Sequence, residues 1–268
     1  MNNFRFLLIF TIIGIGCHRT FYSPTMPTTP IFTQKNEIEV TGGTSIGAPF
    51  RELTGSVAWS PIQHIGLFAS GTKPILNKKN QANSDTCCWD ARNSWEIGGG
   101  YYKKFEKDYF FQVYAGGGKQ KIGQGFLYPG QFGFFEPIGQ RMDTLVNFTS
   151  KTTRFYINPS IGFYDKNVQI FASLPIVRFI CVSNQTRLGA NVSILDKWRS
   201  GDSFWFVEPN FGIRVGWEKF MYYCSGSISN GIGNGDGHNF GHISVQQSLM
   251  IRLGHGIWSE KWKGKNGK

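Results

Sequence analysis

Apolar and polar residues alternate along most of the chain from residue 36 onward, and no amphipathic helical periodicity of useful length interrupts them. Apolar residues at every second position are typical of strands with one apolar and one polar face. The pattern predicts ten strands, at residues 37–45, 51–60, 64–72, 93–104, 109–120, 152–165, 167–181, 203–217, 220–230 and 242–254. The chain is therefore expected to be all-β.

The connections between these strands alternate in length. "SPIQH", "FEKD", "YDKN" and "WEK" are short, whereas the connections between them are long, apart from "IGAPF". Short turns at one end and long loops at the other are typical of outer-membrane barrels, whose strands of about 9–11 residues cross the bilayer at a tilt. The sequence predicts an antiparallel up-and-down β-barrel of about ten strands, outer-membrane type, over residues 37–256.

The apolar faces predict which residues contact lipid. Asp, Glu, Lys and Arg are expected to be absent from these faces, with Arg178 as the exception, because a mid-bilayer lysine or arginine costs about 2–4 kcal/mol. Alternation alone leaves open a soluble barrel with its apolar face inside. Aromatic residues beside the short turns predict one interfacial girdle, formed by Trp59, Tyr101, Tyr109, Phe163, Trp217 and Phe220.

The polar faces predict a charged network inside the barrel. An eight-stranded barrel is just filled by side chains, and open channels need about 16–18 strands, so a ten-stranded lumen is expected to be filled. A narrow channel or a small ligand site is the alternative, and Glu208, Arg214 and Arg252 are its candidate residues. The predicted network consists of Glu37, Glu39, Glu52, Glu96, Arg154, Glu208, Arg214 and Arg252.

The N-terminus resembles a bacterial lipoprotein signal. Arg5 precedes an apolar stretch of about ten residues, too short to span a membrane, and small residues lead to Cys17. Residues 1–16 are predicted as a signal peptide and Cys17 as the lipidated residue; ordinary cleavage nearby is the alternative. The proline-rich residues 17–36 are predicted as an extended linker, or alternatively as a plug within the lumen. Residues 257–268 form a basic tail.

Composition limits the classes of partner. The 268 residues carry a net charge of +11, yet only 17% are charged and 34 are glycine. Glycine enrichment with few charges fits an all-β chain. We interpret the positive charge as surface charge or contact with anionic lipid, and expect no nucleic-acid partner. The four cysteines other than Cys17 have no metal-binding spacing.

Two predicted outer loops contain candidate functional residues. A candidate binding loop is too apolar for a free loop, so it either packs over the barrel mouth or binds a partner or a hydrophobic ligand; its residues are Phe126, Tyr128, Phe132, Phe134 and Phe135. Asp236, His238 and His242 in "GDGHNFGH" are the candidate for metal binding or catalysis. Because that stretch is glycine-rich turn sequence and no catalytic motif is present, we predict no enzyme activity, no metal and no cofactor.

Three stretches resemble a known family. "HRTFYSPTMPTTPIFTQKNEIEV" after Cys17, "LTGSVAWSPIQHIGLFASG" and "EPNFGIRVGWEKF" are similar to uncharacterised Bacteroidota outer-membrane lipoprotein β-barrels, over about residues 17–256. The resemblance implies an envelope barrel and supplies no catalytic residue. It also implies a periplasm-facing anchor, since no acidic residue directly follows the cysteine.

These observations predict a lipid-anchored integral outer-membrane barrel with a structural, binding or envelope-assembly role. The alternatives are a narrow small-solute channel or transporter, and a soluble lipid-anchored barrel that binds a hydrophobic ligand. The expected partners are outer-membrane lipid and another envelope protein, which would contact the long outer loops.

Overall fold

The structure, a computed structural model, describes residues 29–47, 50–75, 89–105, 108–128, 144–187, 200–217, 219–232 and 242–253. Nearly all of these residues belong to antiparallel strands. The strands are β1 (Ile38–Gly47), β2 (Phe50–Ile62), β3 (Ile65–Pro74), β4 (Trp89–Lys104), β5 (Tyr109–Tyr128), β6 (Thr144–Tyr164), β7 (Val168–Ser173), β8 (Ile176–Arg187), β9 (Ser203–Val207), β10 (Asn210–Trp217), β11 (Phe220–Ile232) and β12 (His242–Leu253). The described residues contain no helix of the length and apolarity needed to cross a membrane.

The twelve segments form one closed barrel of ten strands. Each strand pairs with its neighbours in the chain, and β1 pairs with β12, which closes the sheet. Segments β7 and β8 are two halves of one barrel strand, because both pair with β6. Segments β9 and β10 likewise both pair with β11. The predicted fold class is therefore confirmed.

Prolines account for the two interrupted strands. The first break falls at Leu174–Pro175 and the second at Glu208–Pro209. Proline has no N–H to donate to a ladder, so a central strand loses a hydrogen bond where one occurs. The sequence predicted a single strand at 167–181, with Pro175 as a candidate bulge, and a single strand at 203–217; in the structure each is divided into two segments.

Strands β5 and β6 extend much further toward the long-loop end than predicted. Their ladder continues from Lys121 paired with Lys151 as far as Tyr128 paired with Thr144. Phe126 and Tyr128, predicted in a loop, therefore lie within β5. The equally long partner strand β6 pairs with β5 through the glycines at 123 and 125.

The faces of the barrel are apolar outside and polar inside. Phe155 and Ile157 on β6 are half exposed on the outer wall, whereas Arg154, Tyr156 and Asn158, which alternate with them, are buried. This arrangement decides the question that alternation left open, because a soluble barrel would have the inverse faces. All six girdle residues predicted beside the short turns are exposed, and Trp217 reaches 74% exposure.

Charged side chains on the outer wall lie at the edges of its apolar belt or beyond them. Arg178 is exposed on β8, as expected for the exception. Two further lysines within the predicted strands also face outward, which corrects the expectation that Arg178 stands alone. Lys103 lies near a short turn on β4, and Lys119 lies toward the long-loop end of β5. Neither lies at mid-bilayer depth, where the cost of a lysine is highest.

Candidate functional site in the barrel lumen

The charged side chains of the lumen form three groups, and the first joins β2 to β4. The Arg92 guanidinium donates to both carboxylate oxygens of Glu52, from Nε at 2.8 Å and from Nη2. Both residues are buried. Bidentate arginine–carboxylate pairs are among the stronger polar contacts in proteins, and this one satisfies two charges away from water.

The second group places one arginine between two glutamates. Arg154 on β6 donates from Nη1 to Oε1 of Glu96 on β4 and from Nη2 to Oε2 of Glu208 at the β9–β10 break, at 2.6 Å each. All three side chains are almost completely buried. The group spans the lumen and links strands on different sides of the barrel.

The third group places one glutamate between two arginines. Glu39 on β1 accepts from Arg214 Nη2 at 2.9 Å and Nη1 at 3.0 Å, and from Arg252 Nη2 at 3.4 Å. Arg252 Nη1 also donates to the Tyr164 hydroxyl at 2.9 Å. A carboxylate with four acceptor positions can accept from both guanidinium groups at once.

The third group also holds part of the N-terminal segment inside the barrel. Arg214 Nη2 donates to the carbonyl oxygen of Thr29 at 2.6 Å, and Arg252 Nη2 donates to that of Ile31 at 3.0 Å. Glu37 accepts from the amide and the hydroxyl of Thr33, at 2.7 and 2.6 Å. We call residues 29–33 the lumen segment. For these five residues the structure shows the plug that the sequence left as an alternative.

Two apolar side chains of the lumen segment pack against inward-facing rings. Ile31 has no exposed surface and clusters with Phe110, Tyr164, Phe171 and Tyr223. Phe32 is 1% exposed and joins a second cluster, which contains Ala58, Phe68, Tyr102, Tyr114, Tyr156, Val177, Phe179, Cys181 and Phe206. Burial of these two apolar side chains among the inward-facing rings therefore fixes the position of the segment.

Gly66 on β3 provides the space for Phe32. A Cβ atom at Gly66 would lie 2.7 Å from Phe32 Cε2 and 2.6 Å from the Tyr114 hydroxyl. Those distances are shorter than normal contacts, so a larger residue here would displace the ring. The glycine is needed for close approach of two chain segments.

The structure therefore places all of the predicted lumen residues inside the barrel, but in separate groups. Arg214 and Arg252 share Glu39, whereas Glu208 accepts from Arg154. The predicted network omitted Arg92, which lay one residue before the predicted start of its strand. Arg92 lies two residues before the inward-facing Ser94 and four before Glu96, so continuing the same alternation would have assigned it to the lumen.

Several candidate residues lie outside the described residues: Cys17, Phe132, Phe134, Phe135, Asp236 and His238. His242 begins β12, and its side chain is not described. Among the residues that are described, no three His, Cys, Asp or Glu side chains come close enough to hold a metal ion.

A groove of about 720 Å³ opens on the outer wall beside the proline breaks. Across it, three proline carbonyls each accept an N–H from the neighbouring strand: Leu174 to Pro159 at 3.0 Å, Glu208 to Pro175 at 2.9 Å and Ile228 to Pro209 at 3.0 Å. These three bonds keep the wall continuous where regular pairing stops. The groove is lined mainly by outward apolar side chains such as Ile161 and Phe211.

Comparisons with solved structures agree with this architecture. The chain is similar to the outer membrane protease OmpT from Escherichia coli, with a TM-score of 0.50 and 13% identity, over 84% of this chain and 99% of that one. It is also similar to the translocator domain of autotransporter NalP from Neisseria meningitidis (TM-score 0.40, 8% identity, 81% of this chain and 87% of that one) and to LpxR from Salmonella typhimurium (0.38, 6%, 81% and 99%). Neither a protein-family model nor a curated protein matches the chain. The chain has the fold of an outer-membrane β-barrel.

Proposed function

We propose that this protein is a lipid-anchored integral barrel of the bacterial outer membrane, closed by its own N-terminal segment, with a structural, binding or envelope-assembly role. The observation that supports a closed barrel is the lumen segment, whose backbone accepts from Arg214 and Arg252. Ions and small solutes need a hydrated path, and this segment occupies the lumen together with buried rings. We propose no catalytic role.

The cost of opening the lumen supports a permanent closure. Removing the lumen segment would leave the guanidinium groups of Arg214 and Arg252 with Glu39 as their shared carboxylate and without two carbonyl acceptors. Water entering the opened lumen would replace those two acceptors, but Ile31 and Phe32, which are buried at 0% and 1% exposure, would lose their contacts. Burying a side chain of this size contributes about 1.5–3 kcal/mol, which favours a segment that stays in place.

The lipid anchor is proposed at Cys17, in the leaflet on the periplasmic side. The support for it is the short apolar stretch that ends at this cysteine. Incorporation of labelled fatty acid into the wild type, and its loss in Cys17→Ala, would test the anchor. Label retained by Cys17→Ala would contradict it.

Conductance in planar bilayers tests the closed lumen. Wild-type protein should give no single-channel steps, and a variant that lacks residues 29–33 should conduct. Folding of the variant is checked first by its heat-modifiable mobility on SDS gels. Steps from the wild type would instead favour the narrow small-solute channel, and equal silence from a folded deletion variant would show that other groups close the lumen.

A further inference from the structure

We infer that the outer wall of the barrel carries a binding site for the phosphate headgroup of a membrane lipid, formed by Lys119, Lys121 and Lys151. We call these three residues the lysine cluster. Lys119 and Lys121 lie on β5, and Lys151 lies on β6. All three are exposed and alternate with buried inward residues, so they face outward. This inference goes beyond the proposed closure of the lumen and does not depend on it.

The lysine cluster lies at the edge of the apolar belt. On β5 the outward positions from Tyr109 to Gly117 carry no charge, and on β6 the same holds from Phe163 to Phe155. Each stretch covers nine residues, which matches the roughly 9–11 that a tilted strand needs to cross a bilayer. Lys119 is the next outward residue on β5. The belt therefore ends where the cluster begins.

The ladder brings the three ammonium groups together. Lys121 and Lys151 are direct partners in the β5–β6 pairing, so their Cβ atoms lie about 4.5–5.5 Å apart. Lys119 is two residues away on the same face, about 7 Å along the strand. Like charges directly opposite each other destabilise a sheet. A bound anion would remove that repulsion.

The described residues around the lysine cluster supply no acidic partner for it. Lys121 and Lys151 have no acidic partner within ion-pair distance among the described residues. The ladder neighbours of Lys119 are Trp95 on β4 and Thr153 on β6. An exposed tryptophan beside lysines at the belt edge is typical of a membrane–water interface. The expected occupant therefore has both an anionic headgroup and apolar chains.

Among the described strand residues, most of the outward positive charge toward the long-loop end lies on β5, β6 and β8. Arg178 on β8 lies one row below, paired with Phe155, and its guanidinium lies 5.8 Å from the centre of the Trp205 ring. Among the strand side chains that the structure describes, Lys73 on β3 is the one other outward cation toward the long-loop end. Charge spread evenly around the barrel would indicate general contact with anionic lipid. Concentration on β5, β6 and β8 indicates a site.

Lipid retention in nanodiscs tests the inference. Full-length protein is folded into phosphatidylcholine nanodiscs that contain a minor fraction of phosphatidic acid, and native mass spectrometry counts the lipids that stay bound. We expect wild-type protein to retain phosphatidic acid selectively. The triple variant Lys119→Gln, Lys121→Gln, Lys151→Gln should lose this selectivity by about tenfold or more, since each cation near an anionic lipid contributes severalfold.

Two matched variants separate a site from general charge. Lys73→Gln removes an outward lysine at the same end of the barrel, and Lys103→Gln removes one at the other end; both should retain phosphatidic acid as the wild type does. The triple lysine-to-arginine variant should also retain it. If the triple glutamine variant shows no heat-modifiable band, it has not folded. Retention of phosphatidic acid is then measured for Lys121→Gln alone.

Three results would overturn the inference. The first is unchanged retention in the folded glutamine variants. The second is an equal loss in Lys73→Gln, which would show that net charge alone matters. The third is full displacement of phosphatidic acid by inorganic phosphate, which would indicate a site for free anions and not for a lipid.

Discussion

Arg214 on β10 donates two hydrogen bonds to Glu39 on β1, at 2.9 and 3.0 Å, across a lumen in which both side chains are buried. The two residues are 175 positions apart in the chain. The same guanidinium donates to the Thr29 carbonyl. One arginine therefore connects the first strand, the tenth segment and the lumen segment.

Arg214→Ala is expected to destabilise the barrel by about 3–5 kcal/mol, because it breaks a buried ion pair and leaves part of Glu39 uncompensated. Urea unfolding in detergent, followed by the heat-modifiable band, measures this. Lys166→Ala in an exposed turn serves as control and should change stability by no more than about 0.5 kcal/mol. An Arg214→Ala protein as stable as the control would contradict the structural role of the pair.

Arg154, which lies between Glu96 and Glu208, gives a second test of how the buried charges stabilise the barrel. Arg154→Met alone should be strongly destabilising, since Glu96 and Glu208 would then remain buried and face each other's charge. The triple variant Glu96→Gln, Arg154→Met, Glu208→Gln removes all three charges and should recover most of that loss. The same unfolding assay compares them. A triple variant less stable than Arg154→Met would show that the group contributes net stability as an ionic unit.

Gly66→Val is expected to displace Phe32, because even a Cβ atom at this position would lie 2.7 Å from the ring. In a background with Thr29→Cys, a water-soluble maleimide should react slowly with the wild-type lumen and faster after the glycine substitution. Gly55→Val is the matched control, since its nearest atom would lie 3.8 Å away. Equal labelling rates in Thr29→Cys alone and in its combinations with Gly66→Val and Gly55→Val would mean that the position of Phe32 does not depend on the space at Gly66.

For the outward face of the barrel we predict that the cost of a charged substitution depends on its depth in the bilayer. Ile157→Arg places a charge within the apolar belt and should cost about 2–4 kcal/mol, whereas Ile232→Arg at the loop end of β11 should cost about 0–1 kcal/mol. Both side chains are about half exposed on the outer wall, so the comparison isolates depth in the bilayer. Folding yield into lipid vesicles and urea midpoints measure the difference. Equal costs would argue against a bilayer around these strands.

The sequence predicted the strands and their faces because both depend on local alternation. Phe155, Ile157 and Arg154 show this: a period of two assigns each residue to the outside or the inside without knowledge of its neighbours. The same rule assigned Glu39 and Arg214 to the lumen. Alternation could not predict that Glu39 contacts Arg214. The height of a residue along the barrel axis depends on the stagger of every strand that separates the two residues.

Other features depended on contacts that alternation does not encode. The position of Ile31 and Phe32 inside the lumen requires Gly66 and two arginines from distant strands. The extension of β5 through Phe126 depends on an equally long partner strand, β6. Proline at 175 indicated a local irregularity. That Pro159, Pro175 and Pro209 lie side by side in the wall became visible only in the fold.

The central claim, an integral barrel with its apolar face toward lipid, is tested most directly by heat-modifiability of the protein in carbonate-washed outer membranes. Unboiled and boiled samples are compared on SDS gels. We expect a carbonate-resistant band whose mobility changes on boiling, because a closed barrel stays folded in detergent until it is heated. A folded protein released in soluble form after enzymatic removal of the N-terminal segment before residue 29 would contradict the claim.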